Sequence, residues 1–205
     1  AINAARTINH LDEMGLAGCH MEDQISAKRC GHLDHKLLID TPDMCRKLRA
    51  AAAAKRDANF LLIARTDARA PEGLDSAIER AKAYADSGAD MIFPEALHSE
   101  AEFAAFRSAI DLPLLVNMTE FGKSPLLGAP QLEALGINIV IYPMTAMRLA
   151  LKAIDDGLTA LKQDDDQTAL VKRMWTRSRL YEALDYDAYN QFDQDIQNFE
   201  LGAKE

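Results

Sequence analysis

The segment of the sequence best suited to chemistry is Lys-Arg-Cys-Gly-His at residues 28–32. Two cationic side chains directly precede Cys30 and a histidine follows it, and such neighbours favour the thiolate form of a cysteine. Gly31 lets the backbone approach a ligand closely. We therefore interpret Cys30 as a reactive thiol. The alternative is an exposed cysteine without a function in a basic loop.

The residues around this segment, 23–41, form a loop of unusual length after an apolar run. Long loops without regular structure in compact domains are usually active-site lids. We therefore expect the loop to be mobile without ligand and to close over a substrate.

Further candidate site residues lie at the ends of five short apolar runs, at residues 16–22, 60–65, 89–95, 112–117 and 137–142. Polar side chains end or closely follow these runs: Glu22, Arg65, Glu95, Asn117, Thr119 and Arg148. A single charge at a strand end is often a solvated rim residue. Polar groups at five strand ends favour a shared site.

The elements that must position these side chains alternate between strand and helix. Each apolar run is nearly continuous in hydrophobicity, which is typical of parallel strands covered on both faces. Helix signals lie between the runs: Thr41 as an N-cap with Pro42 at the first helical position, Ser99 with Glu102 as a capping box, and Gly15, Gly88, Gly136 and Gly157 as stops. The alternation predicts either a doubly wound sheet or a (β/α)8 TIM barrel. Functional groups at many strand ends, without a G-x-G-x-x-G or Walker motif, favour the barrel.

Only five of the eight barrel strands are predicted, and the sequence begins with Ala1 inside a helical pattern. The sequence is therefore expected to be the C-terminal two thirds of a longer protein. We assign residues 1–160 to the last five barrel units and residues 161–205 to extra C-terminal helices. The helices are predicted over residues 167–183 and near residues 186–201.

The composition excludes several classes of protein. The 205 residues carry a formal charge of −9, which argues against a general binder of nucleic acid or anionic membrane. The longest apolar runs have strand length, so no membrane-spanning segment is predicted. Three cysteines without C-x-x-C spacing make a disulfide scaffold or a structural zinc site unexpected. They indicate a reducing, cytoplasmic location, with Cys19 and Cys45 as packing residues.

These motifs together resemble the isocitrate lyase/phosphoenolpyruvate mutase superfamily. The form Lys-Arg-Cys-Gly-His is typical of its methylisocitrate lyases, whereas isocitrate lyases usually carry Lys-Lys-Cys-Gly-His. The resemblance continues in order along the chain, through Ala64-Arg65-Thr66-Asp67-Ala68, Phe93-Pro94-Glu95-Ala96, Asn117-Met118-Thr119-Glu120-Phe121-Gly122, Tyr142-Pro143 and Thr176-Arg177 with Leu180-Tyr181-Glu182. The family's N-terminal third, with a Ser-Gly-Gly loop and the aspartates that hold Mg²⁺, has no counterpart here.

The resemblance implies cleavage of the C2–C3 bond of 2-methylisocitrate to pyruvate and succinate, a step of the methylcitrate cycle in propionate catabolism. It implies Mg²⁺, with Mn²⁺ as a possible substitute, and it makes Glu22 a metal-site residue acting through bound water. Cys30 becomes the acid that protonates the succinyl carbon.

The resemblance also distributes substrate contacts. Cys30 and Gly31 touch the substrate, and Arg65 binds the pyruvate-side carboxylate and oxyanion. Glu95 orients the site, while Asn117 and Thr119 hydrogen-bond a carboxylate. Arg148 and Arg177 bind or gate the succinate end, because guanidinium groups suit bidentate carboxylate contacts. The remaining site-related residues are assigned as follows: Phe93 and Ile141 either to the core or to a pocket for the methyl group, and His20, His32 and His35 to loop or supporting roles.

Alternatives stay open at this point. The chain could act on isocitrate, handle phosphonates as a mutase or hydrolase of the same superfamily, or be inactive without its N-terminal third. The resemblance further implies a homotetramer in which the C-terminal helices reach onto a neighbouring subunit. The alternative for the helix over residues 167–183 is packing against its own barrel.

Overall fold

The computed structural model describes residues 1–199 and contains five parallel strands that alternate with helices. The strands are β1 (Gly18–Glu22), β2 (Leu61–Thr66), β3 (Met91–Pro94), β4 (Leu115–Asn117) and β5 (Ile139–Ile141). The helices are α1 (Ile2–Glu13), α2 (Thr41–Ala54), α3 (Arg69–Glu72), α4 (Leu74–Ala85), α5 (Glu100–Ala109), α6 (Ala129–Ala134), α7 (Thr145–Asp164), α8 (Arg177–Ala183) and α9 (Tyr186–Gln197), with a 3₁₀ helix at Thr168–Arg173. All five predicted strands are therefore confirmed; four are shorter than predicted, and β2 has the predicted length but begins and ends one residue later.

The strands follow one another in chain order. β1, β2 and β3 form one parallel sheet and β4 and β5 another, and a parallel bridge between Ile92 and Leu114 joins the two. A doubly wound sheet would reverse its strand order at a switch point. The sequential order is that of consecutive units of a (β/α)8 barrel, as predicted.

The two faces of this arc differ in what covers them. Leu62, Ile92 and Val116 point outward into a large apolar core shared with the helices. Alternate residues point to the inner face, where Ile63, Phe93 and Leu115 form a second, smaller cluster made of strand residues. Since side chains alternate along a strand, the inner face at the carboxyl ends receives the predicted site residues.

The chain divides into two compact units, Ala1–Arg148 and Leu149–Glu205, and the boundary lies within α7. The boundary predicted at residue 160 falls later in the same helix. No helix in the described part of the chain is both long enough and apolar enough to cross a membrane.

Several helix ends differ from the predictions. Asp40 rather than Thr41 precedes α2, so Pro42 takes the second helical position. The hydroxyl of Ser99 accepts the backbone N–H of Glu102 as expected, at 3.2 Å. The carboxylate of Glu102 instead accepts from Arg69 and from the His98 backbone, so the capping box is only half formed.

The second unit differs from the predictions at Gly157 and over residues 167–183. Gly157 lies inside α7 and does not end it; its φ is not positive, unlike that of Gly15, Gly88 and Gly136. The single helix predicted over residues 167–183 is wrong. Met174 has an extended backbone, and Thr176 caps a new helix by accepting the N–H of Arg179 at 3.2 Å. The predicted end of the last helix, near residue 201, lies outside the described residues.

Candidate active site

Arg65 is the centre of a buried cluster on the inner face of the arc. Its guanidinium contacts Asp67 at 2.9 Å, Glu95 at 3.0 Å and Glu22 at 3.4 Å. The same group lies 4.9 Å from the centroid of the Phe93 ring, which it covers. Burial alone would lower the pKa of Arg65, but its carboxylate partners outweigh burial and hold the pKa above its usual value. Arg65 therefore stays charged in an interior position.

Strand register explains why these side chains meet. Glu22 pairs with Arg65 across β1 and β2, so both point to the same face. Glu95 follows β3 directly, and its backbone N–H is bonded to the carbonyl of Thr66 at 3.0 Å. Asn117 ends β4 on the same face and donates from Nδ2 to Glu95 at 3.4 Å. The structure thus brings together four predicted site residues from four strands.

Glu95 connects this cluster to the cysteine loop. Its Oε1 lies 3.1 Å from Nε2 of His32. Burial alone would raise the pKa of Glu95, but His32 and Arg65 outweigh burial and keep the pKa below its usual range. Nδ1 of His32 accepts the backbone N–H of Lys123 at 2.9 Å, so the ring proton lies on Nε2 and faces Glu95.

Asp67 is a site residue that the sequence analysis named only as part of the Ala64–Ala68 motif, without a role. Its carboxylate accepts two bonds from Arg65 and a contact at 3.3 Å from Lys36. Burial alone would raise the pKa of Asp67, but Arg65 and Lys36 outweigh it, so the pKa is lowered. The spacing could have revealed this role, because residues 65 and 67 share one face of a strand.

Asp23 supports the cluster from the outer side. Its carboxylate accepts the N–H of Asp67 at 2.9 Å and the hydroxyls of Thr66 and Tyr84, both at 2.8 Å. Burial is the largest influence and raises the pKa of Asp23 despite these donors. No short-range signal in the sequence indicates this network, because Tyr84 lies 61 residues away.

The loop over residues 23–41 is anchored at its base, and its tip packs on the Arg65 cluster. Its expected mobility without ligand stays a prediction. The N–H of Ile25 bonds to the carbonyl of Leu37 at 3.1 Å, and that of Ile39 to Asp23 at 2.9 Å. At the tip, a Cβ built on Gly31 would lie 2.7 Å from Nη2 of Arg65 and would overlap the side chain of Glu95. A side chain would not fit at position 31, so this position requires glycine. Cys30 is exposed beside it.

A second polar group lies after β4. Nη1 of Arg148 donates to the Glu120 carboxylate at 2.6 Å and to the Thr119 hydroxyl at 3.4 Å. Its guanidinium also lies 5.2 Å from the centroid of the exposed Phe121 ring. Two more of the predicted substrate contacts are thus adjacent, with Glu120 as a partner that the sequence reasoning had not assigned.

Arg177 begins α8 in the second unit, where it lines a surface cavity of about 630 Å³ with Tyr181 and Tyr186. Its predicted contact with substrate stays a prediction.

Among residues 1–199, two buried oxygen atoms have no hydrogen-bond partner: Oε1 of Glu22 and Oδ1 of Asn117. Buried polar atoms without partners are uncommon in folded proteins and need an explanation. Both belong to the inner-face cluster. Within residues 1–199 there is no group of three or more His, Cys, Asp or Glu side chains arranged to hold a metal ion. Glu22 can therefore contribute one oxygen to a cation, but these residues form no complete metal centre.

Comparison with known proteins identifies relatives of the chain. The family model for phosphoenolpyruvate phosphomutase matches residues 1–162. The chain is 55% identical over 195 residues to a Corynebacterium glutamicum protein named "Probable 2-methylisocitrate lyase 2", covering 95% of this chain and 64% of that protein. It is 42% identical over 191 residues to 2-methylisocitrate lyase of Escherichia coli, covering 93% of this chain and 64% of that protein. The chain thus spans just under two thirds of the length of these relatives.

Solved structures agree on the fold. Oxaloacetate acetylhydrolase in complex with 3,3-difluorooxalacetate matches with a TM-score of 0.85 at 34% identity, covering 97% of this chain and 67% of that chain. The lyase of 2,3-dimethylmalate, described as a PEP mutase/isocitrate lyase superfamily member, matches with a TM-score of 0.85 at 32% identity, covering 98% of this chain and 68% of that chain.

Proposed function

The chain belongs to the phosphoenolpyruvate phosphomutase family, and from this premise we propose that the protein containing it cleaves 2-methylisocitrate to pyruvate and succinate. Relatives named for this activity are 42–55% identical to the chain. The Lys-Arg-Cys-Gly-His segment supports the same choice within the family.

The observation that carries the proposal is the close packing of Gly31 against Arg65 and Glu95. It sets the neighbouring residue, Cys30, at the mouth of a cluster that can bind carboxylates. A lyase of this kind needs cations that stabilise the oxyanion and an acid that protonates the carbon released by bond cleavage. The packing of Gly31 places both kinds of group together.

The charge of the cluster supports a divalent cation. Three carboxylates, those of Glu22, Asp67 and Glu95, are balanced by three cations: the buried Arg65 and Lys36, and Lys28, which lies 2.7 Å from Glu22. A tricarboxylate needs additional positive charge there. The partnerless Oε1 of Glu22 fits a hard cation such as Mg²⁺, held through water. When bound, such a cation stabilises developing oxyanions.

The chain's own side chains then have defined tasks. Arg65 binds the carboxylate and the oxygen at C2 of the substrate, and Nδ2 of Asn117, which lies 3.4 Å from Glu95, donates to a substrate carboxylate beside it. A base takes the proton of the C2 hydroxyl, the C2–C3 bond breaks, and its electron pair goes to the succinate fragment. The thiol of Cys30 gives its proton to C3 and becomes a thiolate. Thr119 and Arg148 hold a further carboxylate.

The alternative substrate is isocitrate, which lacks one methyl group. Phe93 is fully buried beneath Arg65, so it does not serve as the wall of a methyl pocket. Ile141, which is half-buried at the end of β5, is the remaining candidate of the two. A hydrophobic contact of this size discriminates only about 10–200-fold.

The test is a lyase assay of the full-length protein with both substrates. We expect pyruvate from 2-methylisocitrate, with a kcat/KM at least about tenfold above that for isocitrate. Preferential cleavage of isocitrate would support the alternative, and absence of cleavage of either substrate would overturn the proposal.

We further propose a homotetramer in which the second unit contacts a neighbouring subunit, and a cytoplasmic location that keeps the three free cysteines reduced. Large side chains exposed on the second unit support the assembly, Trp175, Tyr189 and Phe192 among them. Light scattering of the full-length protein, with and without the residues after Asp166, tests it. A full-length protein that is monomeric at micromolar concentration and fully active would contradict it.

A further inference from the structure

Lys36 has an unusual environment for a lysine. Its side chain is fully buried, and its ammonium group contacts the carbonyl oxygen of Gly31 and, at 3.3 Å, Oδ1 of Asp67. A buried ammonium is costly unless polar partners surround it. Both partners of Lys36 belong to the candidate site, one at the loop tip and one on its floor.

The location of Lys36 in the loop indicates which parts of the molecule its contacts with Gly31 and Asp67 hold together. The stems of the loop are joined by the bonds from Ile25 to Leu37 and from Ile39 to Asp23. Lys36 begins the returning stem and reaches back across the loop to the tip. The ammonium therefore links three parts of the molecule: the anchored stem, the tip at Gly31 and the floor at Asp67.

We propose that Lys36 is a positioning residue that holds the tip of the cysteine loop on the Arg65 cluster and thereby sets the location of Cys30. Its relevance to turnover rests on the proposed lyase function. Lysine suits the task because its ammonium carries three donors and can bond a carbonyl and a carboxylate together. Lys36 itself exchanges no proton with the substrate in this role.

The competing explanation is an ordinary buried ion pair that stabilises the fold. The chain offers a matched control in Lys55, which lies 2.7 Å from Asp90, is also largely buried and has no contact with the loop. Methionine keeps the apolar stem of either lysine and removes its donors. Asp67 retains its two bonds from Arg65 in Lys36→Met, so the floor of the site keeps its main partner.

The experiment is hydrogen exchange of the full-length protein without ligand, followed by mass spectrometry and compared among wild type, Lys36→Met and Lys55→Met. We expect Lys36→Met to raise the exchange of residues 26–35 about tenfold, the factor expected for loss of one hydrogen bond to a charged group. Lys55→Met should leave exchange in these residues unchanged. Wild-type exchange at residues 26–35 in a folded Lys36→Met protein would overturn the proposal.

Activity gives the second readout. We expect Lys36→Met to lower kcat on 2-methylisocitrate by about 10²-fold, because a displaced catalytic group loses this much, with a smaller change in KM. A wild-type kcat would overturn the role in turnover. If wild type lacks lyase activity, the exchange result still decides the role of Lys36 in the loop. If Lys36→Met does not fold, Lys36→Gln keeps one amide donor group too short to bridge both partners, and the same loop exchange is expected from it.

Discussion

The two units of the chain distribute polar and apolar side chains in opposite ways. In the first, the charged side chains of Asp23, Lys36 and Asp67 are at most 4% exposed. In the second, none of the described residues 149–199 is buried, and Trp175 and Tyr189 are 65% and 71% exposed. Folded proteins ordinarily do the reverse in both respects.

The contrast separates two reasons for departing from that ordinary distribution. Buried charges cost stability unless each has partners, and in the first unit the partners converge on the carboxyl ends of the strands. The second unit lacks a described interior of its own, so its helices need cover from outside themselves. The first departure supports the proposed chemistry and the second supports the proposed assembly.

The largest effect should come from an atom that contributes little to the fold. We expect Cys30→Ser in the full-length protein to lower kcat 10²–10⁴-fold, because a hydroxyl is a much weaker acid than a thiol. Substrate binding and the urea midpoint should be retained, since Cys30 is exposed. Steady-state kinetics and calorimetry with a substrate analogue measure this, with Cys19→Ser as the control. Turnover within about tenfold of wild type would contradict the acid role.

The same substitution in each unit tests the cost of buried charge. Arg65→Met leaves three inner-face carboxylates without their shared cation, so we expect a loss of about 3–5 kcal/mol in the free energy of unfolding. Arg179→Met removes an exposed ion pair with Glu182 and should change this free energy by less than about 1 kcal/mol. Urea unfolding followed by circular dichroism gives both values. Equal losses would show that burial of the charged groups in the first unit does not change their contribution to the free energy of unfolding.

Much of the site could be predicted from the sequence, because every second residue of a barrel strand faces the interior. Glu22, Arg65 and Asn117 each end an apolar run, and parallel strands bring such ends together. Lys36 and Asp23 escaped because their roles depend on contacts with residues 31 and 44 positions away. A lysine next to apolar residues carries no local signal that distinguishes a buried bridge from a solvated side chain.

The second unit was harder to predict for a different reason. Apolar periodicity over residues 167–183 suggested one helix, but the hydroxyl of Thr176 competes for the backbone and starts a new helix there. Gly157 was predicted to be a stop, yet a helix tolerates an interior glycine at a cost of about 1 kcal/mol. Where few contacts fix an element, such local preferences decide its ends.

The pH dependence of stability should separate two carboxyl groups within the first unit. The lowered pKa of Glu95 contributes stability above the ordinary glutamate value of 4.5, and this stability is lost as the pH falls through the lowered pKa. The stability difference between wild type and Glu95→Gln should therefore shrink in acid. The raised pKa of Asp23 has the opposite effect: its contribution is full below 3.8 and is lost as the pH rises through the raised pKa.

The difference between wild type and Asp23→Asn should accordingly shrink as the pH rises. Urea midpoints at several pH values between about 3 and 7 measure both differences, each expected to change by on the order of 1–3 kcal/mol, as for buried hydrogen bonds to charged groups. Differences that change in the same direction would refute the assignment of opposite pKa shifts.

The smallest effect compares one capping device in the two units. Ser99 and Thr176 each accept a backbone N–H at 3.2 Å, so Ser99→Ala and Thr176→Ala should each cost about 1 kcal/mol locally. Helix α5 places Phe103 and Phe106 in the core of the first unit, which couples its cap to unfolding of the whole unit. Ser99→Ala should therefore raise hydrogen exchange about fivefold in β2 as well as in α5, since about 1 kcal/mol corresponds to that factor.

Because α8 has no buried residue, Thr176→Ala should raise exchange in residues 177–183 alone. Faster exchange of β2 in Thr176→Ala would mean that the second unit unfolds together with the first, and the two units would then be one cooperative structure.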